Sequence, residues 1–263
     1  MGKFPIYHID AFTDRVFSGN PAAVCVLPTW LPDEDLHAIA KENNLPATAY
    51  LVREKDQFHI RWVTPEYELE ICGHGSIASG YVILNLLEPT WQQVNIQSRV
   101  ETLQITRTGE WITLNFPARA VEKCQAYPLL EQGLGLKPQE IYQYKNERCF
   151  AVYETEEEVK QLVPNIQILK QLEHRGISVT AKGSDADFVS RTFYPTKTIS
   201  EDPATGASHC LLAPYWAARL NKRQLYAKQV SSRGGEMLCD YQNDRVLISG
   251  KAVLYLQGMI DLK

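Results

Sequence analysis

ELEICGHGSIASGYVILNLL, running from Glu68 to Leu87, passes from a strand-like segment through Cys72-Gly73-His74-Gly75 directly into a helix with almost no polar surface. A helix start presents backbone N–H groups without intrahelical partners and a partial positive charge, and glycines let a ligand approach the main chain, so an anion is the natural guest. The arrangement recurs. Glu201-Asp202-Pro203-Ala204-Thr205-Gly206-Ala207-Ser208-His209 is an acid-bearing turn that again runs through glycine into an apolar helical stretch, Cys210 to Leu220. Gly73 and Gly206 stand 133 residues apart in a chain of 263, a spacing that predicts two related halves serving one site.

The length is compatible with one large domain or two of about 130 residues, and 44% hydrophobic content suffices for cores in either case. The repeat favours two. Twenty-seven Lys and Arg against 31 Asp and Glu give a net charge of −4, which offers no global attraction to nucleic acid or an anionic membrane. No apolar run approaches the ~18 residues of a membrane span, and Met1-Gly2-Lys3-Phe4-Pro5 leads straight into a strand, so a cytoplasmic protein is expected. Cysteines 25, 72, 124, 149, 210 and 239 form no C-x-x-C pair and sit mostly in apolar strings; buried free thiols, rather than disulfides or a metal framework, are expected.

Along the chain, FPIYHIDAF (4–12) and Ala22 to Leu27 read as strands flanking the turn Ser18-Gly19-Asn20-Pro21. Pro32-Asp33-Glu34 opens a helix reaching Asn43-Asn44, and residues 47–53 and 57–64 form a hairpin. After the apolar helix come strands at 91–98, 101–107 and 111–117. From Ala118 to Lys145 the periodicity weakens, which places the crossover between halves there. The second half reads as a strand from Arg148 to Tyr153, an acid-led helix from Glu154, a helix from Ile166 to His174, two further strands, the second turn and helix, and a terminal meander. The predicted halves are 1–117 and 118–250, with a strand at about 251–263 returning to the first. Arg219, Lys222, Arg223, Lys228 and Arg233 are read as a solvated basic face rather than a phosphate site.

HIDAF followed by FSGNPAAV, Thr64-Pro65 seven residues before the Cys72 turn, DFVSRTFYP, EDPATGASH with its helix ending in PYW, and a late SRGG together resemble the PhzF-like phenazine-biosynthesis isomerase family. The motifs run in order through nearly the whole chain. The resemblance implies an α+β fold like that of diaminopimelate epimerase: two pseudosymmetric halves, each a curved, mostly antiparallel sheet wrapped round a central apolar helix, with the site in the cleft between them. It also implies a cofactor-independent isomerase, with neither cofactor nor metal, that moves a proton on a small anionic or carboxylate-bearing metabolite, and a homodimer. His74 and Asp202 match family positions that shuttle or orient protons. Gly73, Gly75, Gly206, Ala207 and Ser208 fall where backbone donors would meet a carboxylate or enolate oxygen. Asn20 is either a turn former or part of this site, and Arg233 either a turn residue or a contact for the substrate carboxylate.

One position departs from the family. Its catalytic base is a glutamate in a segment like N-L-S-E-T-A-F, and here Asn44-Leu45-Pro46-Ala47-Thr48-Ala49-Tyr50 carries Ala47 in that place. A methyl group accepts no proton. Either the base has been removed, another residue has replaced it, or the protein binds a small carboxylate without turning it over. Cys72 stands where the related epimerase has a catalytic thiol, and the partner position is Thr205, too weak a base for two-thiol racemisation; Cys72 is either a small buried residue or a lone acid or base. Gly73-His74-Gly75-Ser76-Ile77-Ala78 also satisfies G-x-G-x-x-A, but no acidic strand end follows about 20 residues on, and alternating parallel strands and helices are absent.

Overall fold

The computed structural model describes residues 2–262 apart from Asp56, Ala126, Asn146 and Thr198, so Lys263, at the end of the expected last strand, lies outside the described residues. The chain divides into two compact units, Met1–Asn115 with Ser249–Lys263, and Phe116–Ile248.

The first unit contains β1 (Gly2–Ala11), β2 (Asn20–Leu27), α1 (Asp33–Asn43), β3 (Thr48–Glu54), β4 (Gln57–Val63), β5 (Glu68–Leu69), α2 (Gly73–Tyr81), β6 (Gln93–Gln97), β7 (Thr102–Thr108) and β8 (Trp111–Pro117), the last reaching into the next unit. β1 and β2 are antiparallel and β2 and β3 parallel, with Ala23 opposite Thr48. β4 is antiparallel to β3 and β5, and parallel to β6, which continues through β7 to β8. α2 packs on β1, β2, β3 and β7. Ile77, Ala78, Val82, Ile83 and Leu84 are all fully buried, as an apolar helix enclosed by sheet requires. α1 covers part of the other face, where Leu36, Ile39 and Ala40 join Phe4, Ile6, Tyr50 and Val63.

The apolar helix is not uniform. Past Tyr81 it widens into a π-helical turn, Val82–Leu87, ending with Glu88 N–H donating to the Ile83 carbonyl at 2.7 Å. Arg107 from β7 donates there to the Leu84 carbonyl and to Asn85 Oδ1 at 2.8 Å, a cation satisfying carbonyls at a helix C-terminus.

The second unit contains β9 (Glu122–Cys124), α3 (Pro128–Leu134), β10 (Glu140–Tyr144), β11 (Arg148–Val152), α4 (Glu156–Gln161), α5 (Ile166–Leu169), β12 (Gly176–Lys182), β13 (Phe188–Phe193), β14 (Glu201–Asp202), α6 (Gly206–Leu220), β15 (Gln224–Gln229), β16 (Gly235–Gln242) and β17 (Arg245–Gly250). Its ladders repeat the first unit's: β10–β11 antiparallel, β11–β12 parallel, β12–β13 and β13–β14 antiparallel, β13–β15 parallel, β15–β16 antiparallel. The internal duplication seen in two turns thus extends to every strand pairing around them. α6 is held by the stacking of Trp216 on Phe188 and by Trp216 Nε1–H donating to Thr180 Oγ1 at 2.9 Å. Finally β18 (Ala252–Leu262) returns to the first unit, antiparallel to β1, with Gly2 opposite Leu262.

One expectation is corrected and one region is filled in. Residues 118–145, where the periodicity weakens, hold β9, α3 and β10. The Pro and Gly residues that break the periodicity include the first residue of α3, Pro128, and its left-handed C-cap, Gly135 at φ 79°. The helix expected from Ile166 to His174 stops at Leu169, because His174 is drawn instead to Tyr127, with Oη and Nε2 2.5 Å apart. The acid-led helix does carry a complete capping box, Thr155 with Glu158. Thr155→Ala is expected to lower stability by about 1 kcal/mol, read as a shift in the denaturant midpoint with unchanged slope.

Candidate active site

In the first unit, register brings the expected residues to one end of the sheet. β2 and β3 begin there and the antiparallel β4 finishes there, so Asn20, Ala47, Val63 and the turn into α2 are neighbours in the weave. Asn20 and Ala47 are both fully buried. Ala47 carries its backbone into the ladder, its carbonyl accepting from Ala23 N–H at 3.1 Å. Before Asn20, Gly19 has φ 64°, and a Cβ there would lie 2.2 Å from the Ala11 carbonyl oxygen, so only glycine lets the chain turn. Asp10, 4% exposed, pins the same loop by accepting from Phe17 N–H at 2.8 Å.

Cys72 is the N-cap of α2, and its own side chain makes no capping hydrogen bond. Its Sγ lies 3.6 Å from His74 Nδ1 and 3.8 Å from Nε2. Ser76 Oγ donates back to the Cys72 carbonyl at 2.7 Å, fixing the turn from inside. Gly75 is required by crowding: an added Cβ would meet Trp62 Cδ1 at 2.7 Å and Cys72 Sγ at 3.0 Å. Trp62 is 1% exposed, and among the described residues its Nε1–H finds no acceptor.

The second unit builds its turn with a denser network. Thr205 is the N-cap of α6, and again its own side chain makes no capping hydrogen bond. Thr205 Oγ1 donates to Asp202 Oδ2 at 2.6 Å, and Thr205 N–H donates to Gln229 Oε1 at 2.8 Å. Gln229 Nε2 donates to the Asp202 carbonyl at 2.5 Å. Gly206 and Ser208 are buried in the first turn of α6 and Ala207 is half-buried; the Ser208 hydroxyl donates to the Thr205 carbonyl at 2.8 Å. Arg233 is half-buried in the β15–β16 turn, and that turn is tied to the first by Ser231 Oγ donating to the Pro203 carbonyl at 2.6 Å.

His209 is a packing residue. Its Nδ1–H donates to the Thr205 carbonyl at 2.8 Å, its ring lies against Phe188, and burial lowers its pKa to about 4 from 6.5. As pH falls the unfolded chain takes up this proton first, so the stability conferred by the neutral ring is complete above pH 6.5 and is lost between 6.5 and 4. The expected loss is about 3 kcal/mol, measured by urea unfolding across that range, and His209→Gln should flatten this part of the profile.

Sequence reading missed six residues of consequence. Arg61 Nε and Nη2 donate to Glu68 at 2.9 and 2.6 Å, and Arg191 Nε and Nη2 donate to Glu201 at 2.7 and 2.9 Å. Each glutamate stands five residues before its helix-opening glycine, so one ion-pair fork secures the approach to both turns. The Arg61 guanidinium holds the Glu68 carboxyl below its ordinary pKa. Gln229 was legible in principle: it occupies the buried phase of β15 after Leu225 and Ala227, where an amide needs a polar task. Arg148 donates to Tyr194 Oη at 3.0 Å and lines a recess with Gly176, Ser178 and Ser208 beside the first turn of α6. Its pKa is raised chiefly by Tyr194 and, more weakly, by Asp202.

Three of the five cations of the basic face are paired with acids of the second unit. Arg219 pairs with Glu140 and Lys222 with Asp187, each at 2.7 Å, Lys228 pairs with Asp185, and Arg223 Nε donates to the Tyr241 carbonyl. Among the described residues no three His, Cys, Asp or Glu side chains gather to hold a metal ion, and no helix is long and apolar enough to cross a membrane.

Residues 9–258 match the family described as phenazine biosynthesis-like protein, PhzC-PhzF. The chain belongs to the PhzF-like family. An "uncharacterized isomerase" of Pseudomonas aeruginosa is 41% identical over 260 residues, covering 99% of this chain and 100% of that protein. A crystal structure of a PhzF-family phenazine biosynthesis protein from Enterococcus faecalis superposes with a TM-score of 0.96 at 41% identity, covering 99% of this chain and 100% of that one. A "predicted epimerase" from Pseudomonas aeruginosa shares the fold at a TM-score of 0.75 and 17% identity. The diaminopimelate epimerase-like α+β architecture expected from sequence is therefore the architecture of this PhzF-like chain.

Proposed function

We propose that the protein is a cofactor-independent isomerase, cytoplasmic in location, that relocates a proton on a small carboxylic acid. One observation carries this reading: the same strand–turn–helix unit occurs twice, each time with an N-cap residue whose own side chain makes no capping hydrogen bond and with a proton-handling pair beside it, Cys72–His74 at 3.6 Å and Thr205–Asp202 at 2.6 Å. The cleft implied by the family resemblance, in which both turns serve one substrate, is part of the proposal.

In this reading the backbone N–H groups of Gly73 to Gly75 and Gly206 to Ser208 receive the substrate carboxylate and the negative charge that spreads onto it when a neighbouring carbon loses its proton. Arg233 adds a cation to the same carboxylate, and Asn20 borders the site at the base position. One proton leaves one carbon, one is returned to another, and no electrons are exchanged. With Ala47 at the base position, the groups able to carry that proton are His74, Asp202 and the Cys72 thiol, which can exchange a proton with His74.

A second reading is favoured by the burial of Ala47 itself: a fully buried methyl where the family has its base fits a protein that binds a carboxylate without turning it over. Proton NMR in D₂O with a panel of small unsaturated and amino-substituted carboxylic acids separates the two. Deuterium incorporation into a panel member supports the isomerase. Saturable binding of a panel member without incorporation would replace it with the binding protein.

A further inference from the structure

Arg148 is a cation without an acid. It is half-buried at the start of β11, and among the described residues it meets Tyr194 Oη, to which Nη1 donates at 3.0 Å, and no carboxylate within ion-pair reach. A guanidinium has further N–H donors to place, and a charge drawn out of water is ordinarily paired. The ring of Tyr194 already carries a second cation, Lys197 Nζ, 4.0 Å from its centroid. The recess that Arg148 lines has room for about one water-sized group, and Ser178 and Ser208 form its polar wall. Ser178 Oγ and Thr192 Oγ1 share one hydrogen bond at 3.0 Å, so these two hydroxyls hold a proton to spare. Gly176 leaves the guanidinium uncovered: an added Cβ there would stand 3.5 Å from Nη1.

The internal duplication gives this recess a counterpart. Arg61 is opposite Tyr50 and Arg191 opposite Val179, so the two forks equate Ala47 with Gly176, each three residues before. Around that position the units differ in one direction. Arg148 stands where the first unit has Ala22, Ser178 where it has Ala49, Thr192 where it has Trp62, and Ser208 where it has Gly75. The place at which the family carries its base is thus matched, in the second unit, by a niche with a cation and hydroxyls.

We infer, on the reading of this protein as one that handles a small carboxylic acid, that Arg148 anchors the ligand's carboxylate, one oxygen of which enters the recess and accepts from the guanidinium. The spare hydroxyl proton and the first turn of α6 lie beside the same oxygen. A planar carboxylate matches the guanidinium fork, and the apolar walls Leu211 and Leu212 strengthen a charged hydrogen bond formed between them. The first unit's niche is placed to take a proton, and the second unit's to hold negative charge.

The test compares melting temperatures in about 100 mM sodium acetate and about 100 mM sodium chloride. The wild-type protein is expected to melt a few degrees higher in acetate, and the Arg148→Met variant at the same temperature in both. Arg148→Lys, which keeps the charge but not the fork, is expected to retain less than half of the gain. Without acetate, Arg148→Met is expected to keep or raise the urea midpoint, because it removes a charge that no acid pairs. A lowered midpoint, which would make Arg148 a structural support for Tyr194, overturns the assignment, as does an acetate gain that is absent from the wild type or survives in Arg148→Met. Turnover separates this from the isomerase reading. Arg148→Lys is expected to raise KM for deuterium incorporation about tenfold; incorporation at an unchanged KM removes the anchor and leaves the isomerase, whereas an Arg148-dependent acetate gain with no incorporation supports the anchor and removes the isomerase.

Discussion

Ala47→Glu is expected to raise proton exchange into a substrate carboxylic acid by about 10² to 10⁴, the range over which a positioned general base ordinarily acts. The main chain at this position is already set, because Ala47 accepts from Ala23 within the β2–β3 ladder. Strand alternation puts residue 47 on the face of Ala49, which is paired with Trp62, the residue whose indole crowds Gly75 and the Cys72 turn. A carboxylate grown from this position therefore starts beside the first turn of α2. Full burial of Ala47 works both ways: the added volume costs about 1–3 kcal/mol of stability, while removal from water raises the carboxyl pKa and makes it a stronger base. Ala47→Gln has the same size without a proton acceptor and should leave exchange at the wild-type level. Equal rates for the Glu and Gln variants, with both folded and binding ligand, would remove position 47 from the chemistry and leave His74, Asp202 or Cys72 as the base.

Arg191→Ala is expected to cost about 3 kcal/mol of folding stability. Arg191 bridges three pieces of the second unit: its fork holds Glu201 in β14, and Nη1 donates to the carbonyls of Leu162, just past α4, and Val159, in its last turn, at 2.8 and 3.2 Å. Truncation leaves a carboxylate and carbonyls unpaired; the estimate takes the low end for a broken buried ion pair because Glu201 is 29% exposed. Arg191→Lys keeps the charge but not the planar fork, so it should recover only part of the loss. The matching Arg61→Ala should cost less, because Glu68 keeps Arg99 at 3.0 Å. Denaturant midpoints for the three variants check the order, and an Arg61→Ala loss as large as that of Arg191→Ala would show that the two forks are not held by the partners named here.

The halves were readable because the signals that specify them are local: a glycine-rich turn, an apolar helix, and strands of period two on either side. Asp202 and Thr205 could be named from one heptapeptide because a helix start gathers its own residues. The forks could not be, since Arg61 with Glu68 and Arg191 with Glu201 meet only once β4 and β13 have paired with the short strands β5 and β14. Nor could Arg148, which stands 54 residues before Asp202 in sequence. The third element lost to sequence, the region of β9, α3 and β10, failed for a different reason: its strands are three and five residues long, too short for a periodic pattern, and its helix is announced by the same proline that looked like a breaker. The π-helical turn after Tyr81 has no signal of its own. It exists where Arg107, twenty-odd residues on, takes the Leu84 carbonyl that a regular helix would have used.

The pairing of β1 with β18 also sets an order of events on the ribosome. β1 is made well before its long antiparallel partner, so the first unit cannot complete its sheet until residues 252 to 262 have followed. The second unit is contiguous in sequence, from Phe116 to Ile248, and can close while the first is still waiting. During that interval β1 presents an unpaired edge to every other nascent chain, the condition under which strands associate wrongly. A chain shortened before β18 would remain permanently in that state.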